Sequence, residues 1–209
     1  MIAYDLLLMN ANLGFPIEID FLEKLKSQST AAHKKLENLS VSTSIFLPDM
    51  KIEDYCYYLS LVYDVHKNTE EIIFPIVSAV FTDLEERKKT HLIENDLLYL
   101  IYKKHEPALI FTNKLLSIPF SLGIRYVIEA SSLGKRAKNV EKTAGLNKQK
   151  GVSYLTECGN QTGNYCKTFI NPFQEYEQQN NCADEIIEEA VYAFDCVYNH
   201  FQSKVQNEN

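Results

Sequence analysis

Apolar residues in this chain recur every three or four positions, and no stretch holds the every-second-residue alternation of a half-buried strand. A chain patterned this way buries its hydrophobic side chains by packing helices on one another. The sequence therefore predicts an all-α fold, a single-domain multi-helix bundle of about seven to nine helices around one core. Its 209 residues are 45% hydrophobic, enough for one sizeable core. There is no Trp, so 13 Tyr and 11 Phe supply the large rings. The expected layout is a lead-in over 1–17, a helical domain over 18–204 and a polar tail over 205–209.

Charge and cysteine usage narrow the function classes. A net charge of -7 gives no general attraction to nucleic acid or to an anionic membrane, so any anionic ligand must meet a local cationic cluster. No window of about 18 apolar residues is free of charge. The apolar run Leu6 to Met9 is short and lacks the cationic stretch of a signal peptide. A soluble, cytoplasmic protein is expected, with neither nucleic acid nor membrane as partner. The five cysteines form no CxxC pair, which points to reduced thiols packed as small apolar residues.

Along the chain, Asp20 is placed to cap a first helix, with Glu23 three residues on, and that helix runs to about Leu39. Residues 40–48 read as a loop whose Ile45, Phe46 and Leu47 tuck against the core. A helix over 51–81 should kink or break at Pro75. Another over 83–104 begins with DLEERKK, read as a solvated face. A short helical piece covers 108–116, and Pro119 opens the next segment in a first-turn position. Residues 139–154 read as a loop, 164–173 as a helix interrupted by Pro172, and 183–201 as the last clear helix. His66 shares a face with Tyr55, Tyr58, Leu59, Val62 and Val65. It has no second ligand at i+3 or i+4, so it reads as a surface or capping histidine.

Two stretches carry chemistry. The first is 25–37, LKSQSTAAHKKLE. Leu22, Leu25, Ser29, Ala32, Leu36 and Leu39 form its inner stripe, with His33 at the edge. Glu37 lies one turn further on the same side, where a carboxylate can orient an imidazole that ligates a metal. Ala31 and Ala32 would let something flat and large approach. A half-exposed core histidine is the plainer reading of the same pattern. The second stretch is 120–140, FSLGIRYVIEASSLGKRAKNV, with small residues from Ala130 to Gly134 inside a helical pattern. A glycine there costs roughly 0.5–1 kcal/mol relative to alanine. The helix bends or approaches something closely, or it crosses another helix.

With both stretches in view, the sequence resembles the haem oxygenases, in particular their bacterial and bacteriophytochrome-associated branch. Leu25-Lys26, Ser29-Thr30, His33 and Glu37 match the family's proximal-helix pattern. Tyr126-Val127-Ile128-Glu129-Ala130-Ser131-Ser132-Leu133-Gly134-Lys135 looks like its distal-helix segment YVLEGSxLGG. The resemblance implies a haem-oxygenase-like helical fold that binds haem as both substrate and cofactor. It implies cleavage to biliverdin, CO and Fe(II), with O2 and an external electron donor, a ferredoxin or a reductase. His33 would be the iron ligand, Glu37 its orienting partner, and Lys26 and Arg125 cationic contacts to the propionates. Ala130 and Gly134 would lie over the porphyrin, with Gly134 and Ser131 on the catalytic face. Ala130 and Lys135 replace family glycines. The alternative these two positions raise is a haem-binding carrier or sensor of the same fold without turnover.

Overall fold

The computed structural model describes residues 18–112, 116–129, 133–157 and 162–205. The expected lead-in and the end of the tail lie outside them. The described chain is all helix and connection. Its main helices are α1 (Glu18–Glu37), α2 (Ser40–Ser44), α3 (Ile52–Asn68), α4 (Phe74–Val77) and α5 (Thr90–Tyr99). They continue as α6 (Ile118–Glu129), α7 (Leu133–Ala144), α8 (Ser153–Thr156), α9 (Thr162–Asn180) and α10 (Ala183–Val205). A π-helical turn, Thr69–Ile73, joins α3 to α4, and a 3-10 turn, Glu85–Arg87, precedes α5. None of the described helices is long and apolar enough to cross a membrane.

The bundle is built on α10, which packs most extensively against α6 and α1. Ile186, Ile187, Ala190, Ala193 and Phe194 are buried along it. The crossing with α6 is tight because Gly123 has no side chain. A Cβ there would stand 2.7 Å from the Ala190 nitrogen and from Glu189 backbone. The expected α1 stripe faces inward, with Leu22, Leu25 and Ser29 buried and Ala32, Leu36 and Leu39 packed against the core. Ser29 is tolerated there because its hydroxyl donates to the Leu25 carbonyl at 2.7 Å. Without tryptophan, the core uses stacked rings. Phe173 meets Phe21 at 5.5 Å and Phe169 at 5.2 Å, and Phe169 meets Phe81 at 5.4 Å.

Several local expectations are corrected by long-range contacts. Asp20 lies inside α1 rather than at its cap. Within 40–48 the chain forms α2, and of the three residues expected to tuck inward Ile45 is buried, whereas Phe46 and Leu47 are 42% and 50% exposed. Asn139 accounts for this, since its amide donates to the Ile45 and Leu47 carbonyls and fixes the backbone instead. Pro75 neither breaks nor sharply ends the second helix. The turn before it widens to π form, with the Phe74 N–H donating to the Thr69 carbonyl, and the helix resumes through Val77.

The helix expected over 83–104 is instead the 3-10 turn and α5. Glu70, carried on the π turn, accepts the N–H groups of Lys89 and Thr90 at 2.6 and 2.8 Å, which starts α5 there. Ile101 ends it with φ 56 and a 93% exposed side chain, an uncommon conformation for a β-branched residue. Arg87, expected on a solvated face, is buried. Residues 108–112 are not helical, because Asn68 takes them as a strap. Its amide donates to the Ala108 carbonyl and its oxygen accepts the Ile110 N–H. Residues 139–144 continue α7, so the loop begins only at Gly145, with φ 66. α9 runs straight through Pro172, held by buried Phe169 and Phe173 on either side of it.

Gly123→Ala adds helix propensity worth about 1 kcal/mol yet forces α6 away from α10. Urea unfolding is expected to show a net destabilisation of about 1–3 kcal/mol. An unchanged or higher midpoint would mean that the crossing is not set at this glycine.

Candidate functional site

The candidate site is a cleft of about 690 Å³, counting the part open to solvent. α1 contributes His33, Leu36 and Glu37, and α3 contributes Tyr58, Val62, Val65 and His66. Val127 and Ile128 come from α6, Arg136 from α7, Tyr154 from α8, and Phe194, Val197 and Phe201 from α10. The wall is mostly aliphatic and aromatic, with a few polar groups spread around it.

His33 stands where α1 faces the cleft. Its Nε2 lies 3.5 Å from Glu37 Oε1, and its ring tilts against Phe194 at 5.2 Å. Burial pushes the imidazole pKa below its ordinary value. Glu37 opposes that shift and the Arg136 charge adds to it. His33 is therefore a neutral imidazole at physiological pH, the form that ligates metals.

His66 is the main correction to the sequence reading. It is buried rather than at the surface, and its Nε2 shares a 3.0 Å hydrogen bond with the Tyr154 hydroxyl. Tyr154 is itself placed by buried Asp96. One carboxylate oxygen accepts the Tyr154 N–H at 2.9 Å, and the other accepts the Ser153 N–H and hydroxyl. Burial, with smaller contributions from the Lys89 and Arg125 charges, pushes the His66 pKa down to about 3.

Arg136 was also missed by sequence reasoning. It is buried, and its guanidinium stacks 5.3 Å from the Phe46 ring centroid and 5.8 Å from that of Tyr58. Among the described residues it is the arginine or lysine that lines the cleft. The sequence offered it only as one of several basic residues in GKRAK.

The remaining expected site residues fall elsewhere. Arg125 is a core residue, 1% exposed, and does not line the cleft. Its guanidinium donates to Glu129 at 2.7 Å and lies 4.7 Å over the Phe74 ring. Arg87 meets the same carboxylate at 3.0 Å and Asp83 at 2.8 Å. Lys26 is half-buried two turns before His33 and outside the lining. Gly134 is the second residue of α7. Ala130 and Ser131 lie outside the described residues. Cys56 is buried, with its thiol pushed up to about 11 by burial, which leaves it inert. No cluster of three His, Cys, Asp or Glu among the described residues is placed to hold a metal ion.

The fold is similar to that of the NO- and CO-bound haem oxygenase from Neisseria meningitidis, known from crystal structures. The TM-score is 0.70 and the identity 23%, over 88% of this chain and 90% of that one. No family model matches the chain, and no curated protein does. The likeness shows that this chain has the haem oxygenase fold.

His66 ties stability to pH. Unfolded, its imidazole takes a proton below about 6.5, whereas the folded chain holds it neutral down to about 3. Its contribution is therefore constant above the unfolded value and is lost as pH falls between the two, by about 1.4 kcal/mol per pH unit. His66→Gln should remove that dependence. Urea titrations at pH 7 and pH 5 should show the wild type losing about 2 kcal/mol more than the variant. Parallel losses would refute the buried neutral state.

Proposed function

We propose that the cleft binds haem through His33 and that the chain is a haem oxygenase, cleaving haem to biliverdin, CO and Fe(II). The observation that carries this reading is the His33–Glu37 pair facing an apolar cleft, in a fold shared with a haem oxygenase. The residues present fit the group. A carboxylate at one imidazole nitrogen sets the tautomer and leaves the other nitrogen as lone-pair donor. A single imidazole would suit a metal that arrives with most of its ligands already supplied by a macrocycle.

Bound haem supplies both the iron that activates O2 and the ring that is cut. The chain supplies position and exclusion of water. Leu36, Val62, Val65, Val127, Ile128, Phe194 and Val197 offer apolar surface for a flat macrocycle. Arg136 replaces Arg125 as the cation for a carboxylate side arm, and Lys26, half-buried two turns before His33, is the second candidate. Gly134, the second residue of α7, and Ser131 are proposed for the catalytic face, as the resemblance implies. Reducing equivalents come from an external donor, a ferredoxin or a reductase.

Hemin titration of the purified protein should give a stoichiometric Soret band, and His33→Ala should lose its imidazole-ligated spectrum. Adding reductant in air should bleach the band and leave the spectrum of biliverdin. A band that persists would keep haem binding, as in a carrier or sensor, and remove the oxygenase. No Soret shift at all would remove both.

A further inference from the structure

Helix α5 ends in a way that neither stability nor solubility explains. The Tyr102 N–H donates to the Leu97 carbonyl at 3.0 Å, and the Ile101 N–H to that of Leu98 at 3.1 Å. This is the Schellman pattern, which puts the residue after the cap in the left-handed region, where glycine is the usual occupant. Here the occupant is Ile101, with φ 56 and a side chain 93% exposed. A β-branched residue is strained in that conformation. Leu97 is buried and Tyr102 packs against the core, whereas Leu98 is 78% and Tyr99 50% exposed. Leu98, Tyr99 and Ile101 thus form an apolar knob that projects from a turn rather than lining a groove.

Cations stand beside the knob. The 147–151 loop lies against it, since a Cβ at Gly151 would stand 3.2 Å from Leu100 Cγ and 3.3 Å from Tyr99 Cδ1. Asn147 fixes the loop. Its carbonyl accepts the Lys150 and Val152 N–H groups, and its side-chain oxygen accepts that of Gln149. Lys103, Lys148 and Lys150 are exposed on these two segments. Residues 97–105 and 142–156 hold five lysines and no acidic residue, in a chain with 28 acidic and 21 basic residues. Glu106 bounds the first stretch, Glu94 pairs with Lys104, and Glu157 lies 3.9 Å from Lys148, too long and exposed a pair to hold that lysine. The net charge of -7 disfavours an anionic surface as a whole. Surface charges act over about 10 Å, however, so the local excess decides what this side of the molecule meets.

We propose that the α5 turn and the 147–151 loop form a docking surface for an anionic lipid bilayer. The knob enters the headgroup layer and the lysines meet the lipid phosphates. Leu98 and Ile101 supply apolar burial, Tyr99 an amphipathic ring suited to the interface, and the lysines the electrostatic part. None of these residues lines the cleft, so the surface is separate from the candidate site. A projecting apolar knob beside lysines favours a bilayer over another protein, which would need a concave apolar socket to receive it.

Co-sedimentation of the full chain with vesicles of equal parts phosphatidylglycerol and phosphatidylcholine tests the proposal. The wild type should bind them, should bind phosphatidylcholine alone about tenfold more weakly or less, and should be released as salt rises. Ile101→Gly should weaken binding about tenfold, as expected for one buried aliphatic side chain. Its urea midpoint should stay equal or rise, because glycine relieves the left-handed strain. Lys148→Gln combined with Lys150→Gln should also weaken binding about tenfold or more, and carries the test where Ile101→Gly does not fold. No binding to either vesicle would overturn the proposal. Equal binding to both would overturn it, as would binding that the folded variants leave within about twofold of the wild type. Self-association abolished by Ile101→Gly, without vesicle binding, would overturn it in favour of a second copy of the chain on the knob.

Discussion

The contact between α6 and α10 at Gly123 and Ala190 is the constraint on which the rest of the structure depends. Only a missing Cβ lets the two backbones come this close. One turn beyond that contact, Val127 on α6 and Phe194 on α10 both face the cleft. The crossing therefore sets how far apart two of its walls stand. α1 closes the third side by packing on α10, and His33 touches Phe194 there. Helix packing and the placement of the candidate ligand are thus one geometric fact.

The far end of α6 is fixed electrostatically. Glu129, its last residue, is held between Arg125 and Arg87, and Arg87 also reaches Asp83 and the Thr168 hydroxyl on α9. Two guanidinium groups face two carboxylates, so the buried cluster is close to neutral as a whole. Such clusters add little net stability, because desolvation offsets the attraction. What this one does is specify how α6 meets α9, next to the cleft residues Val127 and Ile128. The π turn before Pro75 acts in the same way at the other side of the core. By widening the helix it presents Glu70 to the start of α5, and α5 carries the Asp96 that places Tyr154.

What could be read in the sequence followed from local spacing. The α1 stripe faces inward as its spacing predicts, and Tyr58, Val62 and Val65 share one face of α3 with His66, although His66 is buried rather than at the surface. Helix type was legible because burial on a bundle demands that spacing. Helix ends were less so. α9 passes through Pro172 because Phe169 and Phe173 pack too well to let it end. The segment at 108–112 is not helical because Asn68, forty positions from Ala108, satisfies part of its backbone.

By itself the sequence determined that the chain is a helical bundle and that α1 offers an imidazole with a carboxylate at its side. Both depend on residues within a turn or two of one another. Tertiary structure decided the rest of the cleft. His66 is a cleft residue only because Tyr154, 88 positions away, reaches its ring. Arg125 is a core cation rather than a cleft cation because Phe74, Phe81 and Phe169 enclose it. Whether a charged or titratable side chain turns toward a cavity or into the core depends on which distant groups satisfy it. One-dimensional spacing does not carry that information.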